Sequence, residues 1–318
     1  MTWLVWRRQR SALAVAAGLV VVTVVALVVA RLVLTAQAAG LGVSGCLVDP
    51  GPDCVSGLAV TDLRNAWRWP GGLLRFWTWA VAPLIGLVVS ATLFARETEE
   101  RTVVFALTQS TTRARWWTAN VAATVVAAMA GVVVVTLAAA WALAPFAVLH
   151  QQSRVEPLVY DLQGIWPFAS ALVSFAIAVL AGTLLRSSLA VVVVTVIGWV
   201  VVGAALLYTR YDLLPPAVLA VPVQEYAGGG VVDVDGMPGA FVFRDAAGAE
   251  VPLRTVGVDC EPSEDYAACL ERTGIVTVEL QYQPGSNFWP LQAIQAAIAV
   301  ALSAVLLAGS HVRARRLG

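Results

Sequence analysis

ALAVAAGLVVVTVVALVVA, residues 12–30, carries no charged side chain over nineteen positions and follows Arg7, Arg8 and Arg10. At a rise of ~1.5 Å per residue it covers about 28 Å, the depth of a bilayer's hydrocarbon core. The stretch therefore predicts a membrane-spanning helix. Because basic residues stay on the cytoplasmic side, it starts inside.

Five further apolar runs lie at 76–95, 118–143, 167–185, 188–207 and 290–309, each near the length of one crossing. Six crossings return both termini to the cytoplasm and predict a multi-pass protein of the cytoplasmic (inner) membrane. Composition agrees: 59% of the 318 residues are hydrophobic and 13% are charged, with mean hydropathy +0.79. There are twenty arginines, twenty acids and no lysine. Eleven arginines and only three acids fall in the predicted cytoplasmic pieces, residues 1–11, 96–117, 186 and 310–318. That arginine bias is what orients short loops. Trp3, Trp6, Trp77, Trp79, Trp116, Trp117, Trp166 and Trp289 fall at or beside run ends, where an indole prefers the headgroup layer, and Trp199 lies inside the fifth run.

The basic start, apolar run and Ala36-Gln37-Ala38 imitate a secretory signal with its cleavage site. The run is too long for such a signal, and the chain crosses again beyond it. A twin-arginine signal at Arg7-Arg8 fails for the same reason.

Three domains are expected: residues 1–209 with spans one to five, 210–288 as an extracytoplasmic β-rich subdomain, and 289–318 with span six and a basic tail. In 210–288 the pattern changes to short β-prone pieces at 231–234, 240–243, 251–258 and 275–282, separated by Asp-Gly, Ala-Gly and proline turns. The fold class is thus an all-α polytopic membrane protein with a small β-rich subdomain between helices five and six. In the first outer loop, residues from Ser56 onward have helical spacing suited to lying on the outer surface. All four cysteines, Cys46, Cys54, Cys260 and Cys269, fall outside in two close pairs, CLVDPGPDC and CEPSEDYAAC. An oxidising exterior favours disulfides, with cross-loop pairing still open. Their spacing suits no metal.

Several chemistries are excluded. Without lysine there is no Walker A P-loop and no Schiff base. His150 and His311 are too far apart in sequence for a multi-histidine metal site, and no GxSxG occurs. Gly228-Gly229-Gly230 reads as a turn, as does Asp233-Val234-Asp235-Gly236. No Asp, Glu or His lies within the predicted spans, and Arg31, near the outer end of the first, can snorkel. Asn120, Gln292 and Gln295 suit hydrogen bonds between helices. A chain so poor in midplane charge draws any uphill work from outside its spans.

The one sizeable cytoplasmic connection is ARETEERTVVFALTQSTTRARWW, residues 95–117. Glu97, Glu99 and Glu100 would occupy the first turn of a short helix over 97–107. Arg101 follows, then an apolar patch with Val103, Val104, Phe105 and Leu107. Such a helix either docks a soluble partner or lies on headgroups. Together with the start TWLVWRRQRSAL and the end NFWPLQAIQAAIAVALSAVLL, this segment resembles type 2 ATP-binding-cassette (ABC) transporter permeases of actinobacteria. The resemblance implies an interfacial elbow at Trp3, Trp6, Arg7 and Arg8. It implies a coupling helix whose Glu97, Glu99, Glu100, Arg101, Val104 and Phe105 dock a separately encoded ATPase. It also implies a second permease, identical or related. ATP and magnesium would bind the partner; the chain itself would hold no cofactor and catalyse nothing. Gln295 stands where many relatives have an acid.

The expected function is the permease subunit of an exporter for an amphipathic or lipid-like substrate. The alternative is a membrane-anchored receptor or assembly protein whose β subdomain binds a ligand. A gene for a P-loop ATPase beside this one would distinguish them.

Overall fold

A computed structural model describes residues 2–48, 54, 57–99, 113–185, 187–227, 235–252 and 265–316. Among the described residues six helices are long and apolar enough to cross a membrane: Gln9–Gly40, Leu58–Ala91, Trp117–Leu149, Trp166–Leu184, Ser188–Asp212 and Gly285–Arg315. The protein is therefore a multi-pass membrane protein. These stretches lie within or overlap helices α1 (Thr2–Gly40), α2 (Leu58–Glu99), α3 (Arg113–Leu149), α5 (Trp166–Leu184), α6 (Ser188–Thr209) and α9 (Phe288–Arg316); α4 (Pro157–Asp161) is a short turn before α5.

The helix ends depart from expectation. At 39, 42 and 37 residues, α1, α2 and α3 are each ~55–63 Å long, about twice the hydrocarbon depth. Their surplus packs on itself. Leu34, Ala38, Leu63, Ala142, Phe146 and Leu149 form one buried cluster, and Trp67 meets Phe146 edge-on at 5.1 Å. The residues from 58 onward are thus not a separate surface helix. They run straight into the second span, because the side that would have faced headgroups is taken by α1 and α3. The Cys46–Cys54 disulfide lies in the connection between α1 and α2.

The chain divides into two compact units. The larger comprises Met1–Gln152, Pro157–Leu207 and Gln292–Gly318. In it α2 and α5 cross in backbone contact: a Cβ built on Gly86 would lie 2.4 Å from the Ala171 carbonyl oxygen. A small residue at a crossing lets helices approach where lipid supplies no hydrophobic drive.

The smaller unit, Ser153–Glu156 and Tyr208–Leu291, contains a four-stranded antiparallel sheet of order β1-β4-β2-β3. Its strands are β1 (Ala217–Pro222), β2 (Gly236–Asp245), β3 (Glu250–Val251) and β4 (Ile275–Pro284). Helices α7 (Val223–Ala227) and α8 (Tyr266–Arg272) complete the unit. Val221, Val223, Phe243, Leu270, Ile275 and Val278 form its core. The expected pieces at 240–243 and 275–282 fall inside β2 and β4. β1 was not expected, since Pro215, Pro216 and Pro222 disguise it. Residues 231–234 and 253–258 lie outside the described residues. The Ala-Gly turn joins β2 to β3, with Gly248 at φ +80° and the Asp245 Oδ1 accepting from the Ala247 and Ala249 amides at 2.9 and 2.8 Å. A 2.6 Å ion pair links Arg244 Nε of β2 to Glu279 of β4. It holds the guanidinium pKa up and the carboxyl pKa down.

Candidate functional site

The expected docking segment meets the structure only at its start. Glu97 and Glu99 belong to α2, which is described as far as Glu99, rather than opening a new helix. Their side chains are not described, and Glu100, Arg101, Val104 and Phe105 lie outside the described residues. Where the chain re-enters α3, Trp117 is buried and donates its indole N–H to the Ser310 Oγ of α9 at 3.1 Å. The His311 ring packs edge-on to it at 4.8 Å. Val121 of α3 and Phe175 and Val179 of α5 complete the cluster. The re-entry point is therefore tied to two other spans. Trp117 and Trp166 face protein, not the headgroup layer expected of them.

The N-terminal residues Trp3, Trp6, Arg7 and Arg8 belong to one uninterrupted helix with the first span. Their side chains are not described.

Within the spans, polar side chains bond either inside their own helix or across to a neighbour. Hydroxyls of Thr23, Ser90, Thr124, Thr195 and Ser303 bond the carbonyl four residues back in their own helix. Others cross: Ser174 Oγ to the Pro83 carbonyl at 2.9 Å, Trp77 Nε1 to Thr23 Oγ1 at 3.0 Å, and Trp199 Nε1 to Ser170 Oγ at 2.9 Å. Trp199, anomalous by position, also packs against Trp79 with the rings tilted and 4.8 Å apart.

Gln292 and Gln295 do serve between helices. Gln292 is fully buried; its Oε1 accepts from the Ile165 and Trp166 amides at 2.9 and 2.8 Å, capping the start of α5. Its Nε2 donates to the Tyr160 and Gln163 carbonyls at 3.0 and 3.2 Å. Gln295 Nε2 donates to the Leu206 carbonyl of α6 at 2.6 Å.

The N-terminal half of α2 and the C-terminal end of α3 hold a polar layer that sequence reasoning missed. Arg75 is buried and bonds the Gln152 side chain, while Arg64 Nε donates to the Leu149 carbonyl at 2.9 Å. Burial first, then the charges of Arg75 and Arg64, lower the His150 pKa to about 4. A cavity of about 10 Å³ beside Arg75, lined also by Leu143, Val159 and Gln163, is the size of one water. Arg31 bonds the Trp141 carbonyl and lies over that indole at 4.3 Å, tying α1 to α3.

Cys46 and Cys54 are paired with each other, and Cys269 is disulfide-bonded; Cys260 lies outside the described residues.

A family model described as ABC-2 membrane transporter related matches residues 16–210. No curated protein and no solved structure matches the chain.

Proposed function

The chain belongs to the ABC-2 membrane transporter related family, and from that we propose that it is the permease subunit of an ABC exporter, driven by a separate ATPase. What carries this reading is the extent of the match. It runs across five of the six spans and takes in the whole 96–117 connection. The absence of lysine supports it, since no Walker A lysine can exist in this chain and the energy must enter through a partner that binds ATP and magnesium. In this scheme the chain lies in the cytoplasmic membrane with both termini inside. Residues 97–107 receive the partner, with Glu97, Glu99, Glu100, Arg101, Val104 and Phe105 in contact and Trp3, Trp6, Arg7 and Arg8 as the elbow. Closure of the ATPase on nucleotide pushes this segment. The Trp117–Ser310 bond passes the push to α9, and two bundles rock to expose an amphipathic or lipid-like cargo outward.

Phe105→Asp tests the docking. An unpaired charge in an apolar contact costs a few kcal/mol, so retention of the ATPase subunit on the permease should fall at least ten-fold or so. Ala127→Leu, within the third span, should leave retention unchanged. Both are measured by co-purification from native membranes, alongside ATP turnover. Normal insertion of Phe105→Asp with parental retention and turnover would remove the segment from the energy path.

A further inference from the structure

We propose that the free edge of β1 is an interface between two copies of this chain, paired strand to strand and antiparallel about a two-fold axis at Leu219. The proposal rests on the two-permease reading and says where the copies touch. Among the described residues β1 has β4 as its one neighbour, in the register Leu219↔Leu280, and no described strand lies along its other side. Proteins usually blunt such an edge with charge. Here residues 213–223, LLPPAVLAVPV, carry none, although the unit they belong to holds thirteen acids and five arginines. A basic partner would be drawn to the acidic remainder. A second copy, repelled by that remainder, can approach along the neutral strip.

The side chains match a copy of themselves. About a two-fold axis at Leu219, Ala217 faces Val221, Val218 faces Ala220 and Leu219 faces Leu219, so small lies against large at each flanking step. Leu219 is only partly buried on the core face and Val218 is 55% exposed, so both have surface left to cover. The prolines fix the register. An edge strand tolerates proline with its nitrogen turned from the ladder, which sets Val218 and Ala220 outward in phase with Pro216 and Pro222. Val218 and Ala220 then exchange bonds twice across the axis, and the flanking prolines forbid a longer or shifted ladder. Four hydrogen bonds are too few to hold two free proteins together. They suffice between copies already confined to one bilayer.

The described cysteines leave no free thiol, so an introduced one reports alone. In native membranes, mild oxidation of full-length Leu219→Cys should give a species of twice the chain mass, because facing residues lie at disulfide distance. Phe241→Cys, on β2 across β4 from the edge, should give none. Adding Ala220→Pro to Leu219→Cys should cut the cross-linked fraction about ten-fold. If Leu219→Cys fails to accumulate, co-expressed Val218→Cys and Ala220→Cys provide the same test at exposed positions. Failure of both cross-links in a complex whose native mass contains two copies overturns the edge and leaves the two-copy reading standing. A native mass with one copy overturns both. An adduct of any other mass gives the edge to a different protein and also overturns the proposal.

Discussion

His150 sits where α3 ends, and its imidazole resists protonation because a charged ring would be partly desolvated beside two guanidiniums. In the unfolded chain it titrates near 6.5; in the folded protein, near 4. Above pH ~6.5 it is neutral in both states and contributes no pH dependence. As pH falls from ~6.5 to about 4, the unfolded state takes up a proton that the native state refuses, so stability declines across that window. The thermal midpoint of the purified protein should therefore drop on acidification. His150→Asn should remove this component, so an unchanged pH slope in the variant would show that the loss arises elsewhere. At this scale the sequence was only partly legible. Gln292 and Gln295 were identified as interhelical hydrogen-bonding groups from polarity alone, since an amide in an apolar run has few other uses. The Arg31–Trp141 contact was hidden because it depends on α1 continuing past Arg31, which hydropathy does not mark.

Among the elements, α2 and α5 meet in backbone contact, and Gly86 permits it. Gly86→Ala would set a methyl against the Ala171 carbonyl and force α2 and α5 apart, at a cost of about 1–3 kcal/mol. Gly72, in the same helix, has nothing within 4 Å of a built Cβ, and Gly72→Ala should be neutral or stabilising by up to ~1 kcal/mol. Thermal unfolding of both variants in one detergent measures the difference, and equal shifts would rule out the crossing as the cause. The six spans were readable because lipid demands long uncharged runs. Their ends were not, because an amphipathic helix lying on headgroups and one packed against two neighbours share a hydrophobic period. Thus residues 58–75 were expected on the surface but belong to α2. Glu97 was expected to begin a helix, yet α2 runs through it: neither proline nor glycine interrupts residues 84–99 except Gly86, which is spent on packing.

For the molecule as a whole, the alternation of apolar runs with a β-prone stretch sufficed to place a sheet between α6 and α9. Strand order was not legible, since β1 pairs with β4, more than fifty residues away. The three longest helices also bear on how the protein tolerates its solvent. On the N-terminal half of α2, Trp69, Leu73 and Phe76 are 76%, 65% and 56% exposed, so an apolar surface continues past one hydrocarbon depth. A thicker bilayer would climb this surface and a thinner one would retreat along it, sparing α1, α2 and α3 the tilt or stretch that hydrophobic mismatch ordinarily exacts. α5, with only nineteen residues, is the most buried of the six spans and meets little lipid directly. The unfolding temperature should therefore change little between bilayers of short and long acyl chains, and a steep optimum at one chain length would show that these long helix ends are not free to exchange headgroups for water.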